Sequence, residues 1–379
     1  MRQFQNVTEI LKKMISIDSI TGNEQELSDW LRQYLVDLGL SPVEQLKVED
    51  SGDTVIGVLE GQEEGPEMML NFHLDTFPVC KGWETDPLQP TTRGDKIYGL
   101  GSHDMKGGGA CVLAALKKIV KEDQPLKGTL LISGTTDEEN WSRGAHELIN
   151  SGYLENCDYC LIPEPTDPGV LDIGARGRHV IRIVLEGETA HAAYDEGINA
   201  VVDGAKIVEA LGELDLGYNE RFDLPGSQEV IRFEGGKGII LVPERAEILI
   251  DRHLLPDQEL EGVVDAVRNL IGQLNIQSKY SLSWDDRPTP APEPYQVAAD
   301  SEFVKIMAKN IENRVPEKAT LALASSVADF NHFAVYGGVP VLVYGPDGGN
   351  TCKANEYVCQ SSLSSTAEVY RQTVLDLLT

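Results

Sequence analysis

The stretch that decides the fold is Asn71-Phe72-His73-Leu74-Asp75-Thr76, which follows an apolar run at 68–70. The apolar residues predict the end of a buried β-strand. Because residues i and i+2 of a strand point to the same face, His73 and Asp75 could lie side by side, or the carboxylate could hold the imidazole from just beyond the strand. The pair is either a hydrogen-bonded histidine at a strand end or a metal ligand with its supporting carboxylate.

Further acids follow predicted strands or precede a predicted helix. Asp104 lies in a glycine-flanked turn before an apolar helical run, and a carboxylate is favoured near a helix N-terminus. The strand predicted at 128–136 ends at Asp137-Glu138-Glu139, and Glu164 follows the next strand. Consecutive carboxylates repel one another unless a cation compensates. Since the rim of an open α/β sheet is where sites form, these acids together with the His73–Asp75 pair predict a metal site.

The order of predicted elements indicates an α/β protein in two parts. Helices and strands alternate through 1–174 and again through 287–379, whereas 175–286 has the pattern of a compact α+β unit. The proline-rich stretch 284–295 predicts an extended linker. We therefore expect a catalytic domain with a doubly wound mixed sheet, interrupted by a smaller α+β domain.

The N-terminal region predicts two helices. The first covers 3–16. Thr21-Gly22-Asn23-Glu24 fits a capping box, in which a threonine is followed three residues later by a glutamate, and it precedes apolar positions at helical spacing. The second helix is expected to end at Gly39.

The charge of the chain excludes some classes of partner. With 32 Lys and Arg against 61 Asp and Glu, the formal net charge is −29, which argues against nucleic acid or an anionic membrane surface. No apolar run approaches the roughly 18 residues of a membrane span, and the N-terminus does not have the pattern of a signal peptide. We expect a cytoplasmic protein that acts on a small molecule.

Several motifs occur in the order found in a known family. They are His73-Leu74-Asp75, the Gly-x-x-Asp-Met-Lys-Gly-Gly turn around Asp104, Asp137-Glu138-Glu139 followed by Ser142-x-Gly144-Ala145, and Pro163-Glu164-Pro165-Thr166. The chain resembles the di-zinc amidohydrolases that include carboxypeptidase G, aminoacylase, acetylornithine deacetylase and succinyl-diaminopimelate desuccinylase. Later motifs extend the resemblance over essentially the whole chain: Gly174-Ala175-Arg176-Gly177, His191 with Gly197-Ile198-Asn199-Ala200, Asp251-Arg252 before Pro256, and Tyr344-Gly345-Pro346 with Asn355-Glu356-Tyr357.

The resemblance implies a site for two zinc ions, with Co²⁺ or Mn²⁺ as alternatives. Asp104 would bridge the two ions. His73 and Glu164 would complete the first ion, and Glu139 would bind the second. In this reading the smaller domain, 175–286, is a lid through which the family commonly forms homodimers.

The resemblance also implies the catalytic residues. Glu138 would be the general base, and Asp75 the carboxylate that supports His73. His191, from the lid, would help to stabilise the oxyanion, in this family often across a dimer interface. Two zinc ions would lower the pKa of a bound water, and Glu138 would take its proton and later deliver it to the leaving amine.

The chain departs from the family at the second metal. The usual ligand is a histidine four residues before the glutamate of Asn355-Glu356-Tyr357, and Cys352 stands there instead. The last of the seven histidines is His332, so none lies downstream to replace it. Cysteine thiolate is a good zinc ligand. Either Cys352 ligates the second zinc, or that metal is weakened or missing.

Other departures concern substrate contacts. The family often has an asparagine three positions before the lid proline and an arginine two positions after the lid aspartate, and we place Ile240 and His253 there. Arg176 remains a candidate for binding a substrate anion, with a solvated lid arginine as the alternative. His103 is unusual beside Asp104 and is expected at the rim of the pocket, without a role.

The leading hypothesis is a metal-dependent hydrolase that cleaves the amide bond of an N-acyl amino acid, of the deacetylase or desuccinylase type, or of a short peptide. One alternative is a non-catalytic or single-metal relative that only binds a ligand. Another is a hydrolase of a ureido-type substrate.

Overall fold

The structure, a computed structural model, describes residues 6–122, 125–194 and 196–379. The helices of this part of the chain are α1 (Val7–Ile15), α2 (Gln25–Asp37), α3 (Lys106–Glu122), α4 (Arg143–Asn150), α5 (Ala200–Leu211), α6 (Leu260–Gln273), α7 (Glu302–Glu312), α8 (Asp329–Val335) and α9 (Gln360–Leu378). The beginning of the helix predicted for 3–16 falls outside the described residues.

The strands up to the middle of the chain are β1 (Val43–Leu46), β2 (Thr54–Glu60), β3 (Glu63–His73), β4 (Thr91–Arg93), β5 (Lys96–Tyr98), β6 (Lys127–Thr135), β7 (Cys157–Ile162), β8 (Val170–Ala175) and β9 (Gly177–Glu186). Those that follow are β10 (Tyr218–Asn219), β11 (Leu224–Pro225), β12 (Ser227–Gly235), β13 (Arg245–Leu254), β14 (Lys279–Trp284), β15 (Tyr295–Gln296), β16 (Thr320–Ala324), β17 (Val341–Val343), β18 (Gly348–Gly349) and β19 (Tyr357–Cys359).

The chain divides into two compact units. The larger unit consists of Met1–Gly174, Tyr295–Ala324 and Ala328–Thr379, and the smaller consists of Ala175–Pro294 and Ser325–Val327. The domain boundary was predicted at 286/287, within the proline-rich stretch. The structure assigns residues 287–294 to the smaller unit, so the predicted boundary is wrong. The reason is that Arg178 donates its backbone N–H to the carbonyl of Pro292 at 2.8 Å, which holds this stretch to the start of the smaller unit.

The larger unit contains a mixed sheet with strand order β1-β2-β6-β3-β7-β17-β8-β15, to which β16 is added on β8. The strands β6, β3, β7 and β17 are mutually parallel, whereas β2 and β8 run antiparallel to their neighbours β6 and β17. The predicted mixed α/β fold is thereby confirmed. Because parallel strands share a direction, the carboxyl ends of β6, β3, β7 and β17 lie at one edge of the sheet.

Helix α3 packs closely against this edge because its first turn is made of glycines. A Cβ atom on Gly108 would lie 2.2 Å from the carbonyl oxygen of Pro163, and one on Gly109 would lie 2.6 Å from the ring of Phe72. Pro163 follows β7, and Phe72 lies on β3. The glycines therefore bring the start of α3, and the turn before it, next to the ends of two parallel strands.

The smaller unit is an α+β structure. Its four-stranded antiparallel sheet has the order β12-β13-β9-β14. Alternate residues of β9, among them Ile181, Ile183 and Leu185, are buried and pack with residues of α5 and α6 in one hydrophobic core. Such alternation is what a sheet covered on one face requires.

Among the described residues, no helix combines the length and the apolar character needed to cross a lipid bilayer.

The close approach of α3 gives a prediction for stability. Gly108→Ala would force a Cβ atom against a backbone carbonyl, and we expect it to lower the free energy of unfolding by about 2–3 kcal/mol. The matched control is Gly272→Ala on α6, where a Cβ would meet no atom within 4 Å. Because alanine has the higher helix propensity, the control is expected to be neutral or stabilising by up to about 1 kcal/mol.

Urea denaturation followed by circular dichroism measures both variants. Equal stability of the two proteins would contradict the packing of α3 described above.

Candidate metal centre

The candidate ligands converge on the carboxyl edge of the parallel strands. β3 ends at His73, β6 ends three residues before Glu138, and β7 ends two residues before Glu164. Asp104 lies two residues before α3, which packs on the same edge. Four separate elements thus supply the side chains, and each is positioned by the sheet or by α3.

One group of donors consists of His73, Asp104 and Glu164. The Nε2 atom of His73 lies 3.2 Å from Oδ1 of Asp104 and 3.7 Å from Oε1 of Glu164. Ligand atoms of the three residues all lie within 4.8 Å of one another. His73 is 1% exposed, so these donors meet in a largely buried place.

A second group consists of Asp104, Glu139 and Cys352, whose ligand atoms also lie within 4.8 Å of one another. The Sγ atom of Cys352 is 3.4 Å from Oδ2 of Asp104. Asp104 therefore presents one carboxylate oxygen to each group, since Oδ1 faces His73. Cys352 lies in an exposed loop and has a left-handed backbone, with φ of +57°.

Asp75 supports the site mainly through the backbone of its neighbours. Its two carboxylate oxygens accept the N–H groups of Glu138 at 3.2 Å and Glu139 at 3.0 Å. The Nδ1 atom of His73 is 3.0 Å from the main-chain oxygen of Asp75 but 3.6 Å from its carboxylate. The carbonyl of Asp75 is thus the nearer partner of the imidazole, and its carboxylate orients the two glutamates.

The capping box predicted for Thr21 and Glu24 is wrong. Both side chains instead form hydrogen bonds with residues close to the candidate metal ligands. The hydroxyl of Thr21 donates to Oδ2 of Asp75 at 3.0 Å. The carboxylate of Glu24 accepts the N–H groups of Gly52 at 2.9 Å and Asp137 at 3.3 Å. Glu24 itself occupies the N-cap of α2 and makes no capping bond through its side chain there. Buried tertiary partners have replaced the local pairing.

Glu138 lies beside the donors without belonging to either of the two groups that share Asp104. One of its oxygens is within 4.8 Å of ligand atoms of His73 and Glu139. Burial raises its pKa well above the ordinary value, and the charges of Glu139 and Glu164 add to this effect. A carboxyl group with a raised pKa, close to bound cations, is suited to accept and return a proton.

The carboxylates of the cluster are electrostatically unfavourable without a cation. Burial raises the pKa of Glu139 to about 10, and the charge of Asp104 contributes. The pKa of Glu164 is also raised by burial and by Asp104. The pKa of His73 is raised well above its usual range because its hydrogen bond to Asp104 and the neighbouring carboxylates outweigh the effect of burial. These shifts all favour the protonated forms of His73, Glu139 and Glu164.

These donors fit divalent metal ions. Carboxylate oxygen, imidazole nitrogen and cysteine sulfur are the ligands that zinc takes in proteins. Burial raises the pKa of the Cys352 thiol, and the charges of Asp104 and Glu139 raise it further. A metal ion would reverse this balance, since a coordinating thiol is deprotonated.

Asp329 is a buried acid that the sequence did not reveal. It opens α8, is 1% exposed, and has a pKa raised to about 6 by burial, an effect that the nearby hydroxyls of Thr135 and Ser142 oppose. Its charge also raises the pKa of Glu138. Asp329 follows no recognisable strand and no motif identified in the sequence, so no pattern marked it.

His103 was expected at the rim of the pocket, without a role. It is buried, at 7% exposed, and its Nδ1 atom lies 2.8 Å from the hydroxyl of Thr351. The sequence marks Glu356 only as part of a motif, yet its buried carboxylate accepts backbone N–H groups from the turn around Asp104. Both residues connect the two segments that carry Asp104 and Cys352.

The predicted lid residues belong to the smaller unit, whereas all the donors above belong to the larger. His191 is exposed, with its ring centroid 5.1 Å from that of Tyr194. Arg176 donates to the carbonyl oxygens of Ser325 and Pro225. Burial lowers the pKa of His253, and nearby arginines lower it further. Ile240 is 70% exposed.

The mixed sheet and the clustered donors at its edge define the chain as a metallohydrolase of α/β type. It belongs to peptidase family M20/M25/M40, whose pattern matches residues 69–376. Metal-dependent hydrolysis of amide bonds is the chemistry of this family, and the resemblance stated from the sequence is confirmed.

The proteins similar to this chain are named either as desuccinylases or as peptidases. Succinyl-diaminopimelate desuccinylases from Nautilia profundicola and Sulfurimonas denitrificans are each 26% identical to this chain; the alignments cover 97% of it and 99% and 98% of the relatives. A tripeptidase from Staphylococcus aureus has the same fold, with a TM-score of 0.81 at 21% identity over 98% of both chains. A dinuclear metal-binding peptidase of family M20 from Bacillus subtilis gives 0.73 at 14% identity, covering 98% of this chain and 97% of that one.

The raised pKa of Glu139 predicts how the metal-free protein depends on pH. Its pKa rises from 4.5 to about 10 on folding, so across this range the native state binds more protons than the unfolded state. Stability must then fall as the pH rises through that window. We expect Glu139→Gln to raise the unfolding temperature of the metal-free protein in mildly alkaline buffer and to flatten its pH dependence.

Calorimetry in the presence of a chelator measures this effect, with the exposed Glu312→Gln as control. With metal added, the order should reverse, because the variant lacks a ligand. A variant that is less stable than wild type in chelator would contradict the electrostatic account.

Proposed function

We propose that the protein hydrolyses the amide bond of an N-acyl amino acid or a short peptide with the help of two divalent metal ions. The observation that carries the proposal is the pair of donor groups that share Asp104, with Glu138 beside them. The desuccinylase and tripeptidase names of its relatives support both substrate types.

The chain's own residues divide the work. His73, Asp104 and Glu164 would hold the first ion, and Asp104, Glu139 and Cys352 the second. Bound zinc would supply Lewis acidity that activates water and polarises the amide carbonyl.

Glu138 would accept a proton from the attacking water and return it to the leaving amine. Its place beside the donors is set by the hydrogen bond from its backbone N–H to Asp75. General acid–base catalysis of this kind contributes typically about 10²–10⁴-fold to the rate. Asp75 therefore acts on the reaction through Glu138 and Glu139 as well as through His73.

The smaller unit would contribute to the binding of the substrate. His191 would stabilise the oxyanion, and Arg176 and His253 would contact the acyl or carboxylate groups. Burial lowers the pKa of His253, which favours the neutral imidazole, and this ring would offer a hydrogen bond where an arginine would offer an ion pair. We further propose that this unit mediates a homodimer, which sedimentation would test.

The proposal is tested by a panel of N-acetyl and N-succinyl amino acids, dipeptides, tripeptides and a ureido compound, assayed with Zn²⁺, Co²⁺ or Mn²⁺. We expect turnover of at least one acyl amino acid or peptide. Glu138→Gln should lower kcat at least about 10²-fold, because the proton acceptor is lost. Its metal content should stay at the wild-type level, since Glu138 is not a proposed ligand.

Turnover that survives in Glu138→Gln would contradict the assigned base. A wild-type protein that binds metal but turns over no member of the panel would instead favour a relative that only binds a ligand. Preference for the ureido compound would instead favour a hydrolase of ureido-type substrates.

Cys352 decides whether the second ion is bound through sulfur. We expect Cys352→Ala to weaken binding of the second ion at least about tenfold while leaving the first in place. Cys352→His should restore two ions per chain, because imidazole also suits zinc. Cys359→Ala is the matched control. Metal analysis after dialysis against graded chelator measures the loss, and full metal content in Cys352→Ala would exclude the thiol as a ligand.

A further inference from the structure

Glu356 is a buried carboxylate to which the proposed chemistry gives no task. It lies four residues after Cys352 and is 2% exposed. Its Oε2 atom accepts the N–H of Gly101 at 2.8 Å, and its Oε1 atom accepts the N–H groups of His103 at 2.8 Å and Asp104 at 2.9 Å. All three donors come from one short turn, which we call the Asp104 turn (residues 99–105).

Three N–H groups aimed at one carboxylate fix the backbone of that turn. The turn is further constrained at Gly101, where φ is +71° and a Cβ atom would lie 2.5 Å from a methyl carbon of Thr76. Glu356 thus sets the main-chain position from which the side chain of Asp104 reaches both donor groups.

Glu356 reaches from its own segment to the Asp104 turn, and His103 reaches from that turn to the segment that carries Cys352. Its Nδ1 atom lies 2.8 Å from the hydroxyl of Thr351, the residue before Cys352. The ring packs against the backbone of Gly348, where a Cβ atom would come within 2.5 Å of its Cδ2 atom. The segment 346–356, which we call the ligand loop, is therefore held to the Asp104 turn at two points.

The contacts made by Glu356 and by His103 involve residues that are next to, or close to, Asp104 and Cys352 in the sequence. His103 and Asp104 are adjacent, as are Thr351 and Cys352, and Glu356 connects back to the N–H of Asp104 itself. Beyond Glu356, Tyr357 pairs with Tyr98 where β19 joins β5. The exposed Cys352 thereby stays 3.4 Å from Oδ2 of Asp104.

We propose that Glu356 is a positioning residue for the second metal ion: it holds the Asp104 turn and the ligand loop at the separation at which Asp104 and Cys352 bind one ion together, and His103 with Thr351 assists it. The inference rests on the two-metal function proposed above. It adds that affinity at the second position depends on residues that touch no metal.

Glu356→Gln is the first test. It keeps the size of the side chain but replaces one acceptor oxygen by an amide that would face a backbone N–H. Supporting residues of this kind cost about 10–100-fold in metal affinity when altered. We expect a loss in that range for the second ion and less than about threefold for the first, measured by competition with a chelator.

Cobalt gives a readout that a general loss of stability would not produce. With Co²⁺ at both positions, the sulfur-to-cobalt charge-transfer band in the near ultraviolet reports coordination by cysteine, and Cys352 is the one cysteine among the proposed ligands. We expect the band to need more Co²⁺ in Glu356→Gln and to be absent in Glu356→Ala. The visible ligand-field absorption of the first ion should remain in both variants.

Thr351→Val is a second variant that leaves Glu356 intact. It removes only the hydroxyl that meets His103, and we expect a severalfold loss of the second ion with an unchanged unfolding temperature in chelator. Glu312→Gln and Thr320→Val, both exposed in the larger unit, are the controls. If Glu356→Ala does not fold, Glu356→Gln together with Thr351→Val decides the matter.

The outcomes separate this inference from the proposed function. If wild type binds two ions with the sulfur band and Glu356→Gln and Thr351→Val do so equally well, the positioning role is wrong and the function stands. Equal loss of both ions also overturns it, because Glu356 would then support the whole site. A wild type that binds a single ion without the band overturns both proposals.

Discussion

Repulsion among partly buried carboxylates is the constraint on which the larger unit depends. Asp104, Glu138, Glu139 and Glu164 meet where the parallel strands end, and the imidazole of His73 is the cationic group among them. The raised pKa values of the glutamates show that keeping these carboxylates ionised and close together is unfavourable in free energy without metal. The rigid sheet and the glycine-rich start of α3 keep the acids together despite that cost.

Around the cluster, other acids act as acceptors for backbone N–H groups. Asp75 orients Glu138 and Glu139, Glu24 holds the backbone at Asp137, and Glu356 holds the Asp104 turn. Each is buried, and each connects segments far apart in the chain. Buried carboxylates that accept several N–H groups make a precise framework, because every lone pair they use fixes one peptide unit.

The sequence predicted the donors because they obey strand periodicity and family motifs. His73, Asp104, Glu139 and Glu164 follow apolar strands or precede an apolar helix, which are signals that a linear chain carries. The supporting residues could not be found in this way. Thr21 and Glu24 looked like a local cap and His103 looked like a rim residue, because each has a partner 54 or more residues away. Asp329 followed no pattern. Long-range hydrogen bonds leave no periodic trace in the sequence.

The larger unit is discontinuous in the chain, and this fixes the order in which its site can be assembled. The first donor group lies wholly within residues 73–164 and precedes the smaller unit. The second group requires Cys352, which follows it. During synthesis from the N-terminus, the first group can therefore gather while the rest of the chain is still being made. In the proposed function, the second ion would be captured only after the C-terminal segment that carries Cys352 has folded, so its binding would mark the completed fold.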